Sequence, residues 1–127
     1  RVVIPFDFES RFDNGRYGQM VGDMLWKKLE HEGGFVIPES MQDVRAWAER
    51  KKTNPHPAMP LAQMKKIVRD DFGADIAIWG KVERVEGNAT DVYDFTILVT
   101  DFSVDQPRTI HEAIVNRPAR HPVAVQA

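Results

Sequence analysis

Near Gly73 the dominant hydrophobic period of this chain changes, and that change constrains the fold more than any other feature. Before it, apolar residues recur at helical spacing; after it, they alternate in twos. From Arg16 to His31 the stripe is Tyr17, Met20, Val21, Met24, Leu25 and Leu29, with Lys27 and Lys28 toward the negative end of the helix dipole and Gly33-Gly34 as the stop. A second helix begins at the N-cap Ser40, with Asp43 three residues on and Met41, Val44, Trp47 and Ala48 as its apolar face. A third starts at Pro60 and carries Leu61, Met64, Ile67, Val68 and Phe72 up to a cap at Gly73.

The strands read differently. Val2-Val3-Ile4-Pro5-Phe6 and Phe35-Val36-Ile37 are short, β-branched or aromatic runs, each meeting a proline. Ile76-Ala77-Ile78-Trp79 is apolar on both faces, as a central strand is, and the run continues through Val82 and Val85 to a turn at Glu86-Gly87-Asn88. Tyr93, Phe95, Ile97 and Val99 then alternate with Asp94, Thr96 and Thr100, and after a turn at Ser103 to Pro107 a last strand runs from about Arg108 to Val115. The order β-α-β-α-α-β-β-β predicts an α/β (α+β) domain. Its sheet is mixed, with helices packed on at least one face and a second half that is an antiparallel meander. Residues 1–115 form one domain, and 116–127 read as a flexible tail. The segment from Lys51 to Pro60 holds three prolines and reads as a long exposed loop.

Composition narrows the function classes. With 43% hydrophobic and 28% charged residues the chain is globular rather than disordered. Its net charge of -2 argues against a nucleic-acid partner, which requires a basic stripe. Without cysteine there is no disulfide, thiolate metal site or cysteine nucleophile. No apolar run approaches the roughly 20 residues of a membrane-spanning helix. The chain opens at Arg1 directly on a strand, so membrane association is expected only through a segment outside this sequence.

Candidate chemistry is sparse, and no catalytic residue and no cofactor is assigned. Gly15, Gly18 and Gly22 follow the first strand but match neither dinucleotide nor P-loop spacing, so close packing of Gly18 and Gly22 against the sheet is the simpler account. Asp7, Glu9 and Asp13 cluster past the carboxyl end of the first strand, where open α/β sheets bind ligands, and are the candidates for Mg²⁺ or Ca²⁺. Their D-x-E-x-x-x-D spacing matches no calcium loop, and Asp13-Asn14-Gly15 also serves turn geometry. His31, His56, His111 and His121 form no metal motif, and no serine has a nucleophile-elbow context. Trp79 reads as core. Trp26 lies slightly off its helix stripe; with His56 and Met59 of the proline loop it is a candidate partner contact.

Several strings, in order, resemble one known group. Val2-Val3-Ile4-Pro5-Phe6 is similar to the opening strand of the TolB amino-terminal-domain-like group, which includes CsgG-type and LpoB-type envelope proteins. Leu25 and Leu29 followed by Phe35-Val36-Ile37 resemble its next stretch. Phe72-Gly73-Ala74-Asp75-Ile76-Ala77-Ile78-Trp79-Gly80-Lys81-Val82 resembles its Gly-Ala-Asp strand signature, and Ile97 to Asp101 the strand after that. The matched residues are structural: Gly73 caps, Gly80 permits close backbone approach, and Asp101 ends a strand. The resemblance covers about residues 2 to 115 and implies a non-enzymatic domain of a periplasmic or outer-membrane-anchored protein, often a lipoprotein. Its activity would be contact with another envelope protein, assembling or regulating a complex. No barrel-forming hairpins of the CsgG kind are present, so a secretion channel is not expected. Two other classes stay open: a small-ligand or metal-dependent enzyme using Asp7, Glu9 and Asp13, and an RNA-binding module by analogy with anticodon-binding domains.

Overall fold

In the computed structural model, which describes residues 1–85 and 92–118, one four-stranded sheet has the order β1-β2-β3-β4. The strands are β1 (Val3–Pro5), β2 (Ile76–Val85), β3 (Val92–Asp101) and β4 (Arg108–Pro118). The three helices α1 (Arg16–Glu32), α2 (Met41–Lys51) and α3 (Leu61–Lys66) all fall between β1 and β2. That long crossover lets β1 lie parallel to β2, with Val3 opposite Ile76, whereas the remaining strands follow one another antiparallel. The mixed sheet with packed helices is therefore as the sequence implies. The expected turn at Glu86–Asn88 and residues 119–127 of the expected tail lie outside the described residues.

The sheet is covered on both faces. On one side Ile4, Phe6, Ala77 and Trp79 meet α2, α3 and the segment after α3 through Val44, Trp47, Met64, Val68 and Phe72. On the other, Val3, Ile76, Ile78, Val82 and Phe95 meet α1 through Tyr17 and Val21, with Leu25 and Leu29 packed alongside. β2 is buried without a break from Ile76 to Gly80, the central strand its two-sided apolar run predicts. Trp79 is 1% exposed.

Three local expectations are corrected. Phe35-Val36-Ile37 is not a strand but a single parallel bridge from Val36 to Val2. Gly33 and Gly34, both at positive φ, and Pro38 leave only three residues to extend, and Phe35 and Val36 stay 45% and 59% exposed. The proline loop is not wholly exposed: Pro55 is buried and Met59, 8% exposed, belongs to the core beside α2 and α3. The third helix is α-helical only to Lys66; Ile67–Asp71 continues as a wider π turn before Gly73, at φ 61, closes it.

Candidate functional site

An irregular point in the sheet lies just past β1. Phe6 N–H donates to the Ile78 carbonyl at 2.9 Å, and Glu9 N–H donates to the Gly80 carbonyl at 3.0 Å. Three residues on one chain thus span two on the other, the signature of a β-bulge. Phe8 N–H turns away from the sheet to the Gly18 carbonyl of α1, at 3.1 Å. Strict alternation would keep Phe6 and Phe8 on the same face. The extra residue sends Phe8 to the α1 side while Phe6 stays on the α2 side. Two glycines make room for the excursion. A Cβ on Gly18 would sit 1.6 Å from the Phe8 carbonyl oxygen; one on Gly80 would sit 1.9 Å from the Thr96 oxygen and 2.9 Å from the Phe8 ring.

The bulge aims Asp7 outward toward α2. Its two carboxylate oxygens accept from Arg45 Nε and Nη2, both at 2.7 Å, a bidentate pair. Arg45 Nη2 also donates to the Gln19 carbonyl at 3.0 Å and to Asp23 at 2.9 Å, so one guanidinium ties β1, α1 and α2 together. Burial pushes the Asp7 carboxyl above its ordinary value despite the pull of Arg45, and the Asp7 hydrogen bond holds Arg45 charged. A groove of about 440 Å³ opens over this pair, lined by Phe6, Asp7, Arg45, Lys52 and Pro55.

The other two acidic candidates face different tasks. The Ser10 hydroxyl donates to Asp13 at 2.7 Å, Asp13 accepts the Tyr17 N–H at 2.9 Å, and Ser10 Oγ accepts the Gly18 N–H at 3.1 Å. Together they satisfy first-turn donors of α1 that its formal cap, Gly15, has no side chain to reach. Glu9 sits 3.6 Å from the exposed Arg11, a loose ion pair. The structure therefore does not bring Asp7, Glu9 and Asp13 to one point, and among the described residues no three His, Cys, Asp or Glu side chains converge on a position that could hold a metal ion.

The partner-contact candidates separate as well. Met59 is inside the core. Trp26 is half-buried, and its indole N–H donates to the Glu39 carbonyl at 2.9 Å. His56 alone lines an open cleft, of about 700 Å³, with Phe12, Pro57, Lys81 and Glu83. Phe12, 37% exposed, stacks on Tyr93 at 5.2 Å, and Tyr93 meets Tyr17 at 5.1 Å. Sequence reasoning passed over Phe12, although a lone phenylalanine in a polar loop is a legible signal. It also passed over Arg45, which looks like any cation on a helix's polar face.

No family model matches the chain, and no curated protein matches it. Solved structures do. The LpoB C-terminal domain from Salmonella enterica superposes with a TM-score of 0.57 at 13% identity, covering 93% of this chain and 82% of that one. The LpoB C-terminal domain from Escherichia coli gives 0.55 at 12% identity with the same coverage. Lipoprotein GNA1162 from Neisseria meningitidis gives 0.53 at 8% identity, covering 93% and 79%. At these identities the likeness establishes a shared fold. Among the described residues no helix is long and apolar enough to cross a membrane.

Proposed function

We propose that this chain is a non-enzymatic protein-interaction domain of a bacterial envelope protein, one that helps assemble or regulate an envelope complex. The observation that carries the reading is the shared fold, over 93% of the chain, with an LpoB C-terminal domain and a lipoprotein. The strings around Gly73, Gly80 and Asp101 support the finer grouping with TolB amino-terminal-like domains. The local chemistry agrees. Asp7 spends both oxygens on Arg45, and Asp13 spends its own on Ser10 and the start of α1. A metal-dependent reaction would have to dismantle the joint between β1, α1 and α2 before it began. In this reading the domain sits in the periplasm or is held at the outer membrane by a segment outside this sequence. Its partner face is the cleft wall that carries His56 and Phe12.

The test is fractionation of native cells combined with a photo-crosslinking residue at position 56 of the full-length protein. Recovery in the envelope with one dominant crosslinked protein is the expected result. Recovery in the cytosol would overturn the reading.

A further inference from the structure

Asn14 and Gly15 join the bulged segment to α1 and form the one asparagine–glycine step in the sequence. The other asparagines, Asn54, Asn88 and Asn116, precede proline, alanine and arginine. Asparagine is a chemically labile residue, and a following glycine leaves the next backbone nitrogen unhindered beside the side chain. Asn14 is exposed. Its φ of 57° and ψ of 34°, with φ 89° and ψ 1° at Gly15, are the central angles of a type I′ turn. The Gly15 N–H donates to the Ser10 carbonyl at 2.8 Å, and the Gly15 carbonyl accepts the Gln19 N–H at 3.0 Å. To reach the Asn14 side-chain carbon, the Gly15 nitrogen must eclipse Cβ about the Cα–C bond. For an L-residue that sets ψ at about −120°, the value of the first central residue of a type II′ turn. One flip of the peptide plane between Asn14 and Gly15 supplies it. The φ of Asn14 and the ψ of Gly15 already match the type II′ values of about 60° and about 0°, so nothing outside that plane has to move. The flip breaks the bond to Ser10 and leaves the bond from Gln19 in place.

We infer that Asn14 is a self-modification site, deamidated by the Gly15 nitrogen and gated by that single peptide flip. After the flip the nitrogen gives its proton to solvent and attacks the Asn14 amide carbon. The new N–C bond closes a succinimide ring, and the side-chain nitrogen leaves as ammonia with a proton from solvent. Water then opens the ring at either carbonyl. One opening leaves a side-chain carboxylate on an unchanged backbone. The other leaves an isoaspartyl linkage, in which the main chain runs through the side-chain carbon and is longer by one atom. That extra atom falls between Asp13, which accepts the Tyr17 N–H, and Gly15, the formal cap of α1, so the isoaspartyl product loosens the start of the helix. The strained ψ is needed in any state of the chain; what the fold adds is the bond to Ser10 that must break first. This inference concerns the chain alone and does not depend on the envelope reading.

The test follows the full-length protein in mildly alkaline buffer, folded and in guanidinium chloride. Arg11 and Arg16 flank the step, so trypsin releases it as the short peptide from Phe12 to Arg16. Mass spectrometry reads the conversion of amide to acid in that peptide and separates the aspartyl from the isoaspartyl form. The expected result is conversion at Asn14 in both states, slower by about tenfold in the folded chain, the factor that one intramolecular hydrogen bond is worth. Equal rates in the two states would overturn the gate. An Asn14 that stays intact in the folded chain long after the denatured chain has gone to completion would overturn the site, as would earlier conversion of another asparagine in the folded chain. Amide hydrogen exchange in the folded protein reads the flip itself. Gly15 should exchange faster than Gln19, because only the Gly15 bond is broken by the flip. The same exchange rate at both positions would mean that the end of α1 frays as a unit and that the flip is not the gate.

Discussion

The two faces of the sheet are sealed by opposite means. The α2–α3 face is filled by volume: Phe6, Trp47 and Phe72 form a ring cluster with centroids 5.1–6.4 Å apart, and Met59, Met64 and Trp79 close the gaps around it. The α1 face is filled by proximity. Its helix comes so near the bulged chain that Gly18 has no room for a methyl group, and the face ends in a ring stack whose last member, Phe12, stays partly in water. The lesson is that one small sheet can be sensitive to lost volume on one side and to added volume on the other. The bulge at Asp7 is the device that separates the two regimes, because it hands Phe6 to one layer and Phe8 to the other.

The sharpest way to break that comparison is a pair of substitutions. Phe6→Ala empties a site 1% exposed beneath Trp47 and Phe72 and should cost about 3–5 kcal/mol, enough to unfold a marginal domain. Gly18→Ala adds one methyl group against the Phe8 carbonyl and should cost about 1–3 kcal/mol, more than a helical Gly→Ala change could return. Denaturant midpoints decide both. If Gly18→Ala proves neutral or stabilising, α1 is free to retreat and the proximity account of that face fails.

The sequence carried the regular parts of this contrast and not the irregular one. The helix stripes of α1 and α2, the cap at Gly73 and the buried run of β2 could be read because each follows from one period or one residue's geometry. Gly18 and Gly80 could be read as close approaches, though not what approached them. The bulge could not. Phe6-Asp7-Phe8-Glu9 alternates apolar and acidic residues like an ordinary strand, and only the distance from Ile78 to Gly80 on the partner strand reveals the extra residue. The acidic cluster misled for the same reason. Spacing in sequence gave Asp7, Glu9 and Asp13 a common site, while the bulge sent Asp7 to Arg45, thirty-eight residues away. Met59 lay among prolines that signal a loop, and loop composition says nothing of which single side chain turns inward. The strand expected at Phe35–Ile37 failed because three residues between paired glycines and a proline are too few to extend a ladder.

Arg45 tests the joint between the two faces. Arg45→Ala leaves the Asp7 carboxylate facing the groove without its cation, at a cost of about 1–3 kcal/mol near neutral pH, reduced from a fully buried pair because both side chains keep roughly a quarter of their exposure. The pH dependence gives the sign. Burial already holds the Asp7 carboxyl above its ordinary value, and loss of the guanidinium raises it further. A group whose folded pKa is raised contributes stability that is full below the unfolded value and is lost as pH rises through the folded one. The deficit of Arg45→Ala should therefore be larger at pH 7 than near pH 4. Urea midpoints at the two pH values that differ from the parent by the same amount would show that Asp7 is solvated in spite of the bulge.

The smallest expected effect lies at the end of β3, beyond both faces, and has the opposite sign. The Ser103 hydroxyl, at 2.6 Å, lowers the Asp101 carboxyl most; the Ser103 N–H, at 2.9 Å, and the Arg1 guanidinium add to it, taking the group from 3.8 to about 2. A depressed folded pKa contributes stability that is present above the unfolded value and lost as pH falls through the folded one, here between about 4 and about 2. Screening at this surface position keeps the contribution below about 1 kcal/mol. Asp101→Asn should thus flatten the acid limb of the stability curve slightly while leaving the Arg45→Ala difference untouched, because the two sites share no partner and should add. Thermal midpoints from pH 5 down to pH 2 measure it. A variant that also alters the pH 7 to pH 4 difference of Arg45→Ala would mean that the end of β3 and the bulge at Asp7 are coupled through β2, and that the two faces are less separate than their packing implies.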